Sequence, residues 1–195
     1  PVDDFSACLT NSAFGTREKV QMYGLDQVVA WARAWIDSIK RNRAVCVLDS
    51  LGRKWEGTLH PGWSIKEWSD LVGRVADLKG AYKQLAVAPE HSCFSVVAVL
   101  FPGKGAVMLF QGISLMFGQT AAVYAFLRFS RAIAMIASKL FNILTVEFFD
   151  DFTQVEPMKT SQSAQDALEG LIGLIGWELA VDAAVEAVEA VEAVE

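Results

Sequence analysis

Residues 147–155 read EFFDDFTQV, an aromatic and β-prone run interrupted by two adjacent aspartates, Asp150 and Asp151. Widened to ILTVEFF (143–149) and FTQVE (152–156), the stretch predicts a strand, a tight turn and a returning strand, with the acids at the bend. Adjacent carboxylates repel, so an apolar hairpin has no packing reason to carry them. Turn chemistry is the plain alternative, since Asp suits tight turns. A third, isolated acid, Asp77, ends another predicted strand directly after Arg74-Val75-Ala76. Carboxylates at the ends of neighbouring strands suit hard divalent cations, because Mg²⁺ takes oxygen ligands, typically one or two carboxylates with substrate phosphates.

Outward from this hairpin, helices and strand pairs alternate. Residues 1–20 are loop-like. Leu25 to Lys40 carries apolar residues at 25, 28, 29, 32, 35, 36 and 39, one face of a helix. AVCVL (44–48) and RKWEGTL (53–59) form a hairpin across DSLG, followed by a turn at HPGW (60–63). Ile65 to Val72 reads as a short helix or strand, and KGAYKQL (79–85) as helical. SVVAVLF (95–101) reads as a buried strand, PGKG as a turn and AVMLF (106–110) as its partner. Gln119 to Leu140 is the longest predicted helix. Ser163 with Asp166 resembles a capping box for a last helix through Trp177. Antiparallel pairs mixed with helices predict an α+β fold.

Composition narrows the function classes. Apolar residues make up 53% of the 195, enough for a core, which excludes wholesale disorder. Cys8, Cys46 and Cys93 form no close pair, so a disulfide framework and a Cys-rich zinc site are excluded and a reducing, intracellular location is expected. His60 and His91 have no metal-site spacing, Gly103-Lys104-Gly105 falls short of a P-loop, and no G-x-S-x-G elbow is present. All 17 basic residues lie at or before Lys159, against 15 acids in the same stretch; eight acids and no base follow. The last twelve residues, 184–195, repeat Ala-Val-Glu four times. A period of three drifts against the helical 3.6, so no fixed apolar face forms, and the tract reads as frayed helix or disorder. Because the chain begins at Pro1, it is expected to be a fragment.

Residues 105–127 carry no charge and are long enough to span a bilayer. Their glycines, glutamines, serine and threonine argue against a span. So does the single polar stripe of Arg128, Arg131 and Lys139, which fits a core-packed helix with one open edge. A small membrane or apolar scaffold protein built on 105–127 is the alternative reading.

Three segments in order resemble one family. DLKGAYKQL (77–85) is similar to motif A of retroelement reverse transcriptases, LMFGQTAAVYAFLRFSRAI (115–133) to motif B, and FFDD (148–151) to motif C. PVDDFSACLTNSAFGT (1–16) resembles the segment joining fingers to palm, with the nearest likeness to retrotransposon polymerases of the tyrosine-recombinase type. The resemblance implies a palm-like antiparallel sheet packed on helices, with an extra N-terminal helix and hairpin. It divides the chain into a partial fingers–palm segment (1–69), a palm core (70–177) and an acidic low-complexity tail (178–195). It also implies two-metal nucleotidyl transfer with Mg²⁺ or Mn²⁺. Asp77 and Asp150 would bind both ions, Asp151 would assist at one, and the Leu78 carbonyl would complete a coordination sphere. Tyr82 would be the steric gate against a ribose 2′-hydroxyl, Phe149 would lie under the primer end, and Gly118 and Gln119 beside the nascent base pair. The implied partners are an RNA or DNA template-primer and deoxynucleoside triphosphates, in the cytoplasm or nucleus, with no membrane expected. Three departures stand out: Met116 replaces the family's usual proline, Phe148 its common tyrosine, and no lysine follows Gly176-Trp177. A truncated polymerase and an inactive, degenerate copy are both compatible with this pattern.

Overall fold

A computed structural model describes residues 10–16, 19, 22–49, 51–61 and 70–180. The VDDFS segment, Cys8, half of HPGW, most of the Ile65–Val72 stretch, and the Ala-Val-Glu tail lie outside the described residues.

The fold is α+β, built on helices and antiparallel sheets. Helix α1 (Leu25–Lys40) has Asp26 in its first turn and Lys40 in its last, each opposing the dipole at its end. It packs against β1 and β7. Strands β1 (Ala44–Leu48) and β2 (Lys54–Thr58) pair antiparallel, Ala44 opposite Thr58. Asp49 organises their connection: its Oδ1 accepts from the Leu51 and Arg53 N–H groups, both at 2.9 Å.

The central sheet has three strands in the order β3 (Leu71–Asp77), β7 (Asp151–Pro157), β6 (Thr145–Phe148). Strand β7 lies between two antiparallel neighbours, with Asp77 opposite Asp151 on one side and Phe148 opposite Asp151 on the other. Helix α2 (Thr120–Phe141) packs on β6, and α3 (Met158–Leu174) packs on β7, β3 and α2. The core is the seam they share. Phe126, Ile133, Ala134 and Ala137 of α2 meet Leu168, Leu171 and Ile172 of α3 over Ala76 and Phe152 of the sheet. These spacings of three and four residues put one face of each helix on the sheet.

Two expectations need correction. The strand read as buried, β4 (Val96–Phe101), pairs only with β5 (Ala106–Gln111), and among the described residues the two form a sheet of their own. Leu100 and Leu109 are 60% and 72% exposed. An apolar run signals a strand without saying what covers it. The capping box at Ser163 does not form. Helix α3 begins five residues earlier, after Pro157, and Ser163 Oγ donates back to the Thr160 carbonyl at 2.9 Å from inside the helix. The uncharged run 105–127 is no single helix: it is divided among β5, an irregular segment and the start of α2. Helix α2 is nonetheless long and apolar enough to cross a membrane, with a third of its most apolar window buried inside the protein.

Candidate functional site

The acids meet because of the register. Strand β3 ends at Asp77 and β7 begins at Asp151, and antiparallel pairing sets the two opposite each other. Beyond this pair the Leu78 N–H donates to the Asp150 carbonyl at 3.2 Å, so the chain past β3 is tied to the hairpin tip. From the other side residues 178–180 run along the same segment. Leu179 bridges Leu78, the Lys79 N–H donates to the Glu178 carbonyl at 3.0 Å, and the Ala180 N–H donates to the Asp77 carbonyl at 2.9 Å.

Asp77 and Asp150 line one open cleft of about 1050 Å³. Leu78, Tyr82, Phe117, Gly118 and Phe149 line it with them. Asp151 and Gln119 are not among its lining residues. The hairpin tip is strained. Phe149 has φ 56, in the left-handed region that costs an L-residue about 1–2 kcal/mol. That turn brings Phe149 into the cleft wall with its ring edge-on to Phe148, the centroids 5.3 Å apart. Strain held in place by surrounding structure is a common mark of functional sites.

Tyr82 stands on a short 3₁₀ turn, Ala81–Gln84, directly after the acid-bearing strand. Only 9% of its surface is exposed, and its ring lies tilted on Phe126 at 4.7 Å with Phe117 edge-on at 5.9 Å. Phe126 in turn stacks on Trp177, nearly parallel at 5.9 Å. The Tyr82 ring thus has an aromatic backing two rings deep. Burial, and after it the charge of Asp150, pushes its phenol above the ordinary 10.0, so it stays neutral at physiological pH.

The opposite wall is the segment leading into α2. Gly118 has φ 94, a conformation L side chains rarely adopt, and its carbonyl accepts from Asn11 Nδ2 at 2.9 Å. Gln119 turns away from the cleft: its Nε2 donates to the Phe94 carbonyl at 3.1 Å and to Ser95 Oγ at 3.4 Å. The Leu78 carbonyl accepts from the Ala81 N–H at 3.3 Å. On the helix beyond, Arg131 is committed to Glu147 at 3.4 Å and to the face of Tyr23.

Burial, and after it the charges of Asp150 and Asp77, holds the Asp151 carboxyl above its ordinary value of 3.8. The folded state therefore binds this proton more tightly than the unfolded chain does. The stabilisation from the protonated form is lost as pH rises from 3.8 through the folded pKa, and it is absent at neutral pH. Asp151→Asn is accordingly expected to raise the melting midpoint at pH 7 in chelator by about 1–2 °C. The difference should close below the ordinary carboxylate range, as thermal melts across pH will check. Glu156, also raised by burial, is present in both proteins and leaves the comparison intact.

Among the described residues no group of three or more His, Cys, Asp or Glu side chains forms a ready metal cluster. Asp77 and Asp150 line one cleft with Asp151 adjacent, and carboxylates are the donor type of Mg²⁺, which keeps several waters and binds through one or two of them plus phosphate. Comparison with protein-family models and with curated proteins gives no match to this chain.

Proposed function

We propose that the chain is a palm-type, RNA-directed DNA polymerase domain of a mobile element, acting by metal-assisted nucleotidyl transfer. One observation carries this reading. Asp77 and Asp150, 73 positions apart, line the same cleft as Leu78, Tyr82, Gly118 and Phe149, six of the eight residues to which the resemblance gives roles. Divalent ions bound there would neutralise phosphate charge and lower the pKa of the primer hydroxyl. The residues supply the rest. Asp77 and Asp150 offer hard oxygen ligands, one from the end of β3 and one from the β6–β7 turn whose Asp150 carbonyl accepts from the Leu78 N–H. Tyr82, held by Phe126 and Phe117, would be the gate against a ribose 2′-hydroxyl. Gly118, lacking a side chain, lets a base pair approach its backbone closely.

The test is nucleotide addition to a DNA primer on an RNA template, with Mg²⁺ or Mn²⁺. Addition of one or a few deoxynucleotides is expected, without processive extension. The stretch through Lys159 holds 17 bases against 15 acids, a weak electrostatic hold on a template. Extension by many nucleotides would contradict the second part, and no addition at all the first. A catalytically silent copy of the same fold is the second reading. It is favoured by Glu178, which stands directly after Gly176-Trp177, where the family carries a lysine-bearing segment, and ties Lys79 Nζ at 2.7 Å. Metal binding without nucleotide addition would select it.

A further inference from the structure

We propose that Asn11 is a positioning residue that clamps the Gly118 turn and so fixes the wall of the cleft that faces the incoming nucleotide. The nucleotide part rests on the polymerase reading. Asn11 sits in a short 3₁₀ turn, Thr10–Ala13, more than a hundred residues from the segment it holds. Its amide works in both directions: Nδ2 donates to the Gly118 carbonyl at 2.9 Å, and Oδ1 accepts from the Thr120 N–H at 2.8 Å. The second bond satisfies one of the orphan donors at the start of α2, where Gln119, the N-cap, provides no side-chain bond of its own. Asn11 therefore caps the helix from outside it. Phe14, three residues on, seats the same loop by packing its ring on Tyr124 at 5.5 Å.

The geometry needs such a clamp. Glycine populates both signs of φ with little penalty, so the peptides flanking Gly118 are free to flip unless something holds them. Gln119 is anchored on the far side by Phe94 and Ser95, and Asn11 holds the near side. Gly118 and Thr120, which Asn11 holds, line the cleft with Phe117, Asp77 and Asp150. Released, this wall would still be attached but would sample several orientations, and a nucleotide would select the competent one at a loss of affinity.

Asn11→Asp separates the clamp from the cap. The carboxylate still accepts from the Thr120 N–H and suits the helix dipole, but it no longer donates to Gly118 and opposes that carbonyl with charge. Its melting midpoint should stay within about 2 °C of wild type, whereas Asn11→Ala, losing the cap as well, should fall by about 2–4 °C. In single-nucleotide addition, both variants should need about tenfold more deoxynucleotide for half-maximal rate, with the maximal rate within about threefold. Amide hydrogen exchange over residues 115–121 should quicken in both. Wild-type half-saturation in Asn11→Asp overturns the proposal, whether or not exchange quickens. If wild-type protein adds no nucleotide, the polymerase reading fails along with the nucleotide part. The exchange arm then still decides the clamp, and unchanged exchange in both variants overturns it.

Discussion

Asp150→Asn is expected to reduce metal-dependent nucleotide addition by roughly 10³-fold or more, and Asp77→Asn by a similar factor, on the scale of losing a preorganised electrostatic contact. Neither change should harm the fold. Among the described residues neither carboxylate has a salt-bridge partner, and the charges of both push the Asp151 carboxyl up. Removing either charge relieves repulsion, so the metal-free melting midpoint should hold or rise slightly. Activity and melting are thus predicted to move independently. An Asp150→Asn protein that keeps its activity would contradict the assignment. One that melts several degrees lower would mean that the acid holds the hairpin together.

The largest stability effect is expected at Phe126. Its side chain is fully buried, stacked on Trp177 and in contact with Tyr82 at the centre of the core. Phe126→Ala removes a ring that its close-packed neighbours cannot replace, at about 3–5 kcal/mol, or roughly 6–20 °C in melting midpoint for a chain of this size. The same change takes away the backing of Tyr82, so discrimination between deoxy- and ribonucleotides should weaken in whatever protein remains folded. Thermal melts read the first effect and competition between the two sugars reads the second. A loss below about 1 kcal/mol would show that the site can collapse around the gap.

What was legible in the sequence follows the physics of local patterns. Helix α1 lies between Leu25 and Lys40 as its apolar spacing and basic end require. Strand β3 ends at Asp77, and the FFDD bend turns β6 into β7, because alternation and turn chemistry are local signals. What covers a strand is not local. Nothing in VVAVLF states that it meets only AVMLFQ and remains exposed. Gln154, a polar residue between threonine and valine, is 1% exposed. It shares a sheet face with Phe152, in a row with Arg74 and Thr145. The start of α3 was misplaced because Ser163 bonds equally well inside a helix as at its cap.

The site was legible in part for the same reason. The acids and Tyr82 stand out as residue types in an order, but their meeting depends on a strand register that sets Asp77 opposite Asp151, 74 positions on. Gln119 was placed beside the base pair, whereas its amide is occupied by Phe94 and Ser95, contacts that no spacing announces. The role of Asn11 left no trace in pattern at all, since a side chain that bonds backbone across the whole fold has no period. The positive φ of Phe149 was equally silent, because an aromatic residue is among the least expected in that conformation.

The central claim is that Asp77 and Asp150 act together as ligands for divalent ions, and Mn²⁺ titration by calorimetry tests it without any need for turnover. The account predicts saturable binding to the wild-type chain, a rise in melting midpoint with metal, and at least about tenfold weaker binding in Asp77→Asn and in Asp150→Asn alike. A wild-type chain that binds no Mn²⁺ at millimolar concentration, or one whose binding neither substitution weakens, would contradict it.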